Sequence, residues 1–280
     1  KVSVKKENNF VLYIGESSSI MNMGIYGYPR NTTPEIDKWE KKDGFIKLNN
    51  IFSTHTLTSA SLLEALSIGL NESEKILPIY QRQRISIVDI LNTANIETKL
   101  FSNQGQTGSY NQTSSIIFKN AKKKFSTDSK YLGNEADFLF KKPWDHEFFK
   151  NNVKFRELDK KKGNSFIVFH SYAGHGPYIK NIPPKFHKKV DTFYNNLSNL
   201  AITGNKKSIS QIEEYDSAIK YIDFSISKAL KEIENLKNPW IFIYFSDHGE
   251  SVFTNNAHDS SRFLHEMARV PLYIFFNNAA

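Results

Sequence analysis

Trp240–Ser251 reads WIFIYFSDHGES, and this stretch decides the fold class. Six apolar residues, Trp240 to Phe245, run straight into Ser246, Asp247, His248, Gly249 and Glu250. A short unbroken apolar run predicts a strand buried on both faces, as inside a parallel sheet. Its end delivers a carboxylate, an imidazole and a second carboxylate around a flexible glycine. Ligands of open α/β sheets bind outside the carboxyl ends of the strands, and Asp with His suits a Zn-like cation. Taken alone, Asp-His-Gly reads equally well as a polar loop after a core strand, so the other strand ends must arbitrate.

Working outward, Asn9–Ile14 (NFVLYI) is a second apolar run, followed at once by Gly15, Glu16 and the serines Ser17 to Ser19. It repeats the logic of an acid at the end of a buried strand, although Glu16 alone could equally cap a following helix. Thr98–Phe101 starts a strand that stops at Ser102, Asn103, Gln104 and Gly105. Ser165–Phe169 (SFIVF) is another buried strand, and His175 follows in a Gly-bracketed loop. Four strand ends thus present Glu16, Asn103-Gln104, His175 and Asp247-His248, with His258 and His265 further on.

Between the strands lie helical patterns. Thr33–Trp39 has Thr33 as N-cap and Pro34 at the first position. Ser86–Ala94 is amphipathic, and Gln211–Leu236 carries Ile212, Tyr215, Ile219, Ile222, Ile226, Leu230 and Ile233 at the spacing of a long surface helix. Gly44–Phe52 and Met267–Phe276 read as further strands. Residues 106–162 give no clear pattern. Strands alternating with helices predict an α/β fold with a mostly parallel central sheet flanked by helices on both faces.

Ser53–Leu70 (STHTLTSASLLEALSIGL) crowds hydroxyls at Ser53, Thr54, Thr56, Thr58, Ser59 and Ser61 ahead of a helical stripe of Leu62, Leu63, Leu66 and Ile68. A hydroxyl at a helix N-terminus sits in a positive field that stabilises an alkoxide or a phosphate. Spacing alone fits ordinary N-capping as well.

Composition sets bounds on these readings. The chain has 280 residues, 39% hydrophobic and 14% aromatic, enough for a sizeable core and against disorder. It has no cysteine, which excludes disulfides and thiolate metal sites. No apolar run approaches the roughly 20 residues that span a bilayer. The formal charge is +8. The lysine clusters at Lys122–Lys124, Lys141–Lys142 and Lys160–Lys162 read as solvated faces, with a membrane-surface bias of the whole as the second reading. No helix-turn-helix, zinc-finger or RNA-binding signature supports a nucleic-acid partner.

With these residues in hand, the chain resembles the phosphoethanolamine transferases of the alkaline phosphatase and sulfatase superfamily, which decorate lipid A, lipooligosaccharide core and other envelope acceptors and include mobile colistin-resistance enzymes. The matching segments are VLYIGES (11–17), YGYPRNTTPEID (26–37), HTLTSASLLEAL (55–66), SNQGQTG (102–108), AGHGPY (173–178) and FSDHGES (245–251). The resemblance implies an alkaline-phosphatase-like α/β fold in which residues 1–280 form a single catalytic domain. It also implies a monomer on the periplasmic face of the inner membrane, joined in the full-length protein to an N-terminal transmembrane region. By the same resemblance Glu16, Asp247 and His248 hold Zn²⁺, with the nucleophile Thr58 completing the site. Thr56 and Ser59 are the rival registers. His175 and His258 match the histidines that flank the phosphoryl group, and Asn103 and Gln104 match substrate contacts. The Asp247–His258 spacing is shorter than in the colistin-resistance branch, which leaves His265 as an alternative to His258. The implied donor is phosphatidylethanolamine, and the implied acceptor is lipid A, lipooligosaccharide or another envelope molecule. The same metal logic with water as acceptor would give a hydrolase.

Overall fold

The structure is a computed structural model that describes residues 8–105, 112–127, 142–160, 163–187, 206–254 and 257–277. Gln106, Thr107 and Gly108 of the SNQGQTG segment lie outside the described residues, as do Lys141, Lys161 and Lys162. In chain order the elements are β1 (Asn9–Gly15), α1 (Ile36–Trp39), β2 (Phe45–Leu48), α2 (Thr58–Leu66), β3 (Ser67–Gly69) and β4 (Arg84–Ser86). There follow α3 (Ile87–Thr93), β5 (Glu97–Ser102), α4 (Gln112–Ile117), β6 (Lys123–Ser126) and α5 (Asp145–Asn152). The last are β7 (Ser165–His170), α6 (Lys206–Ile233), β8 (Trp240–Ser246) and β9 (Leu272–Phe276).

Among the described residues the main sheet has seven strands in the order β2-β9-β8-β1-β7-β5-β6. β8, β1, β7, β5 and β6 run parallel, and β9 and β2 close one edge antiparallel. The alternation of side chains along β1 divides the core in two. Val11 and Tyr13 point to a large cluster with α6, α5 and Trp39 of α1. Leu12 and Ile14 point to a smaller one formed by α2, α3 and α4. Both faces are therefore covered, as a parallel sheet requires.

Several expectations shift in detail. β1 and β7 are buried almost throughout, but β8 alternates between buried and half-buried positions rather than being buried on both faces. The expected surface helix α6 is a core element, with Tyr215, Ala218, Ile219, Tyr221, Ala229 and Leu230 fully buried. Ile68 leaves the helical stripe, because α2 stops at Leu66 and Ser67 begins pairing with Ser86 across β3 and β4. Thr33 does not cap α1. Its hydroxyl accepts from Ile25 N–H, and the Asp223 carboxylate of α6 accepts from Glu35 and Ile36 N–H instead. The strand expected from Met267 begins only at Leu272, since His265–Met267 makes a short 3-10 turn.

Candidate active site

The four polar strand ends belong to four adjacent parallel strands. In register, Ile14 of β1 stands between Phe245 of β8 and His170 of β7, and His170 stands beside Ser102 of β5. The chain therefore leaves all four strands at one level, and Asp247-His248, Glu16, His175 and Asn103-Gln104 emerge along one edge.

Glu16, Asp247 and His248 are buried. One ligand atom from each lies within 4.8 Å of the others. His248 Nε2 is 3.5 Å from Glu16 Oε1 and 3.5 Å from Asp247 Oδ2. Thr58, the first residue of α2, places Oγ1 3.4 Å from Glu16 Oε2 and 3.4 Å from His248 Nε2. Thr56 is buried, and Ser59 is turned to the hydroxyl of Tyr80 at 2.9 Å, so Thr58 is the hydroxyl of the three that reaches Glu16 and His248.

Hydrogen bonds from distant parts of the chain hold these groups. Gln104 Nε2 donates to Glu16 Oε2 at 2.8 Å and to the Ser171 carbonyl at 2.7 Å. Ser17 Oγ donates to Glu16 Oε1 at 2.8 Å, and Ser17 N–H donates to Asp247 Oδ1 at 3.0 Å. Ser17 takes φ +52 to do so, a left-handed conformation that a non-glycine residue adopts at some cost. Ser53 Oγ donates to the Asp247 carbonyl at 2.7 Å, and Ser61 Oγ does the same from inside α2. That second bond fixes the helix against the Asp247 turn and so fixes where Thr58 starts. Gly174 is required where the His175 loop crosses β1: a Cβ there would lie 2.0 Å from the Glu16 carbonyl oxygen, at φ +108.

The donor set fits a cation. His248 Nδ1 faces the Gly249 carbonyl at 2.8 Å, and a carbonyl only accepts, so Nδ1 carries the proton. Nε2 then presents its lone pair toward two carboxylates. That arrangement is repulsive unless a proton or a metal ion lies between them. Asp247 Oδ2 is buried with no hydrogen-bond partner. Burial and the charge of Glu16 push the Asp247 carboxyl up to about 6. Burial alone would lower His248, but the charges of Asp247 and Glu16 outweigh it and hold the ring up at about 10. Burial would raise Glu16, and the hydrogen bond and charge of His248 instead hold it well below the usual carboxylate range. Two carboxylates, an imidazole and a hydroxyl make the N/O donor set suited to Zn²⁺.

The remaining candidates fall into three groups. His258 joins the site: its Nδ1 donates to Glu250 Oε2 at 2.9 Å, its ring lies 4.7 Å from that of His248, and Glu250 Oε1 accepts from Tyr178 OH at 2.9 Å. His248, Glu250 and His258 form a second group with ligand-like spacing. His175 is exposed, stacked on Tyr172 at 5.1 Å and 14°, with Nδ1 donating to the Gly176 carbonyl, which leaves Nε2 outward. Asn103 and Gln104 support the site in the structure: Asn103 binds Pro143 and Asp145, and Gln104 binds Glu16. His265 is exposed, its ring against Phe263 rather than against Glu16, Asp247 or His248. The sequence reading passed over Glu250 as a partner, although it stands in the quoted stretch two residues after His248. It counts Ser61 only among the crowded hydroxyls, without its bond to the Asp247 carbonyl, and gives Tyr172 no role.

A sulfatase family model matches residues 8–280. The chain belongs to the sulfatase family. Among the relatives of this sulfatase-family chain is the phosphoethanolamine transferase EptC of Escherichia coli, 28% identical over 258 residues, which are 91% of this chain and 42% of the relative. The phosphoethanolamine transferase EptA of Helicobacter pylori is 31% identical over 86% of this chain and 42% of the relative. The chain thus spans less than half the length of either. The solved C-terminal periplasmic domain of the E. coli EptC, in complex with zinc, superposes with a TM-score of 0.79 at 24% identity, over 99% of this chain and 74% of that one. The integral membrane lipooligosaccharide transferase EptA of Neisseria meningitidis superposes at 0.73, with 22% identity, over 98% of this chain and 48% of that one. At these identities the structural likeness establishes the fold: mixed α/β with a mostly parallel central sheet.

Proposed function

We propose that this chain is the catalytic domain of a zinc-dependent transferase that moves phosphoethanolamine from phosphatidylethanolamine to an envelope acceptor such as lipid A or lipooligosaccharide. The observation that carries the reading is Thr58 Oγ1, at a helix N-terminus and equidistant from Glu16 and His248. The relatives named above supply the group transferred. Glu16, Asp247 and His248 would hold the zinc, with Thr58 at its fourth position. Bound there, zinc would lower the pKa of a coordinated hydroxyl and neutralise developing phosphoryl charge.

Thr58 Oγ1 gives up its proton to a base and attacks phosphorus, the bond from phosphorus to the diacylglycerol oxygen breaks, and that oxygen takes up a proton. A phosphoethanolamine group is left on Thr58. An acceptor hydroxyl then attacks the same phosphorus, loses its proton to a base, and the bond to Thr58 breaks. His258 suits the proton transfers, because Glu250 fixes its Nδ1–H and leaves Nε2 to exchange a proton. His175 offers Nε2 from the loop after β7, on the other side of β1 from His248. The N-terminus of α2 adds its positive field at the phosphoryl oxygens. In this reading residues 1–280 act as one domain, monomeric, at the periplasmic face of the inner membrane.

The test is peptide mapping after exposure to a phosphatidylethanolamine analogue. The added phosphoethanolamine mass is expected on Thr58, absent in Thr58→Ala, and retained on the side chain in Thr58→Ser. Mass on Thr56 or Ser59 would move the register. Wild-type turnover in Thr58→Ala, Thr56→Ala and Ser59→Ala alike would remove the covalent mechanism. Release of free phosphoethanolamine with no acceptor product would make the chain a hydrolase.

A further inference from the structure

Beside the site lies a cavity of about 120 Å³, bounded by the exit of β5, the turn into α5 and the loop after β7. At ~30 Å³ per water in the liquid it has room for about four waters, or for one charged substituent of a larger ligand. Its walls include Asn103, Lys142, Trp144, Asp145, Tyr172 and Lys180.

Asn103 is 2% exposed. Its Nδ2 donates to the Pro143 carbonyl at 3.0 Å and to Asp145 Oδ1 at 2.7 Å. Both partners only accept, so the amide orientation is fixed and Oδ1 is the atom left over. Oδ1 is buried and has no hydrogen-bond partner among the described residues. A buried amide oxygen beside a polar cavity calls for a donor there. Asp145 makes no such demand, because it already accepts from Asn103, Tyr172 N–H and Ala173 N–H. Lys142 Nζ lies 3.2 Å from the centroid of the Tyr172 ring. Lys180, on the loop after β7, is exposed and makes no ion pair among the described residues.

This cavity is coupled to the site on two sides. Tyr172 stacks on His175, and Gln104, next to Asn103, holds Glu16. Its chemistry discriminates between the two substrates of a transfer. Lys142, over the aromatic face, offsets the buried Asp145 carboxylate in the same wall, and Lys180 leaves the mouth of the cavity net positive, so the ethanolamine end of the donor is disfavoured. Two cations attract anionic oxygens, an orphan acceptor takes a hydroxyl proton, and Trp144 and Tyr172 offer aromatic walls to a sugar ring.

We propose that this cavity receives an anionic substituent of a saccharide, phosphate or carboxylate, between Lys142 and Lys180, with a neighbouring sugar hydroxyl donating to Asn103 Oδ1. Only the identification of that saccharide with the acceptor rests on the transfer reading above.

The test reads binding, not turnover, so the two can fail separately. Ligand-observed NMR and calorimetry on the intact chain at low salt use glucosamine 1-phosphate as the probe. Binding is expected, with glucosamine and inorganic phosphate each at least tenfold weaker. Glucuronate tells whether a carboxylate serves in place of the phosphate. Lys180→Glu should weaken binding at least tenfold. Lys185→Glu, the same charge change on an exposed lysine outside the cavity, should leave it unchanged. The melting temperatures of the two variants should match. Inorganic phosphate binding as tightly as the sugar phosphate would overturn the saccharide assignment. Equal weakening by Lys185→Glu, full binding in Lys180→Glu, or no binding of any probe at millimolar concentration would overturn the cavity as a site. Intact binding in a chain that transfers nothing would sink the transfer reading and leave this one standing.

Discussion

Two fully buried polar clusters, Glu16–Asp247–His248 and Arg30–Asp216, sit in the same molecule and solve opposite problems. Asp216 of α6 is surrounded by donors: Asn22 Nδ2 reaches Oδ1 at 2.8 Å, and Tyr28 OH at 2.8 Å and Arg30 reach Oδ2. Burial pushes Asp216 up toward about 6, while Arg30, Asn22 and Tyr28 pull it back. The charges cancel and the oxygens are satisfied. At the Glu16 cluster two carboxylates share one imidazole, and Asp247 Oδ2 has no hydrogen-bond partner among the described residues. A cluster whose charges cancel is structural. One that is short of positive charge is built for something that arrives. The YGYPRNTTP segment, which the resemblance marked as a signature, thus serves as an anchor: Arg30 pins that loop to α6, and Thr32 ties it to Asn22.

Substitutions should separate the clusters. The largest effect is expected for Asp247→Asn, which replaces a carboxylate ligand by a much weaker amide oxygen. Metal content and transfer should both be lost. In chelator, however, this variant should melt higher than chelated wild type, because one of two facing carboxylates is gone. A lower melt there would mean that Glu16 and Asp247 do not repel. Arg30→Ala should behave the other way. Removing one partner of a buried pair leaves an uncompensated charge and costs about 3–5 kcal/mol. Calorimetry should show that loss with or without chelator, and zinc per folded chain should stay at the wild-type value.

A smaller effect is expected at Gln104→Ala. Its amide orients Glu16 without being a ligand in the proposed site, and losing such a partner typically costs about 10–100-fold in metal affinity. Competition with a fluorescent zinc chelator measures this. An unchanged affinity would mean that Ser17 alone suffices to hold Glu16.

The comparison also explains what the sequence made legible. β1, β7 and β8 could be read because each is an apolar run ending abruptly in chemistry, and four such ends predicted an edge the structure does contain. Gln104 could be placed near the substrate but not assigned to Glu16, since that partner lies 88 residues away. α6 reads as a surface helix from the period of its apolar residues, which leaves Asp216, Ser217, Asp223, Ser225 and Ser227 between them. All five are buried. Arg30 takes up Asp216, the N–H groups of Glu35 and Ile36 take up Asp223, and the Tyr13 hydroxyl meets Ser225 at 2.9 Å. Polar residues satisfied by distant partners are invisible to a hydrophobic period.

The last effect expected comes from that group and shows only as a pH dependence. Asp223 caps α1 from across the core, accepting from Glu35 N–H and Ile36 N–H at 2.8 Å each. Burial pushes its carboxyl up to about 8, against the pull of those two hydrogen bonds. In the unfolded chain the group returns to the ordinary value of 3.8. Between these values the folded state binds the proton more tightly than the unfolded one, so this contribution to stability is present below about 4 and is lost as the pH rises toward about 8. Asp223→Asn mimics the protonated form in shape and charge and cannot titrate. Measured at pH 5 and again at pH 8, the melting temperature of the variant relative to wild type should move in the variant's favour, by about 2–4 °C for each kcal/mol regained. A gap that stayed constant, or moved toward wild type, would show that the backbone donors of α1 hold Asp223 ionised throughout. Its cluster would then resemble Arg30–Asp216 more closely than its burial suggests.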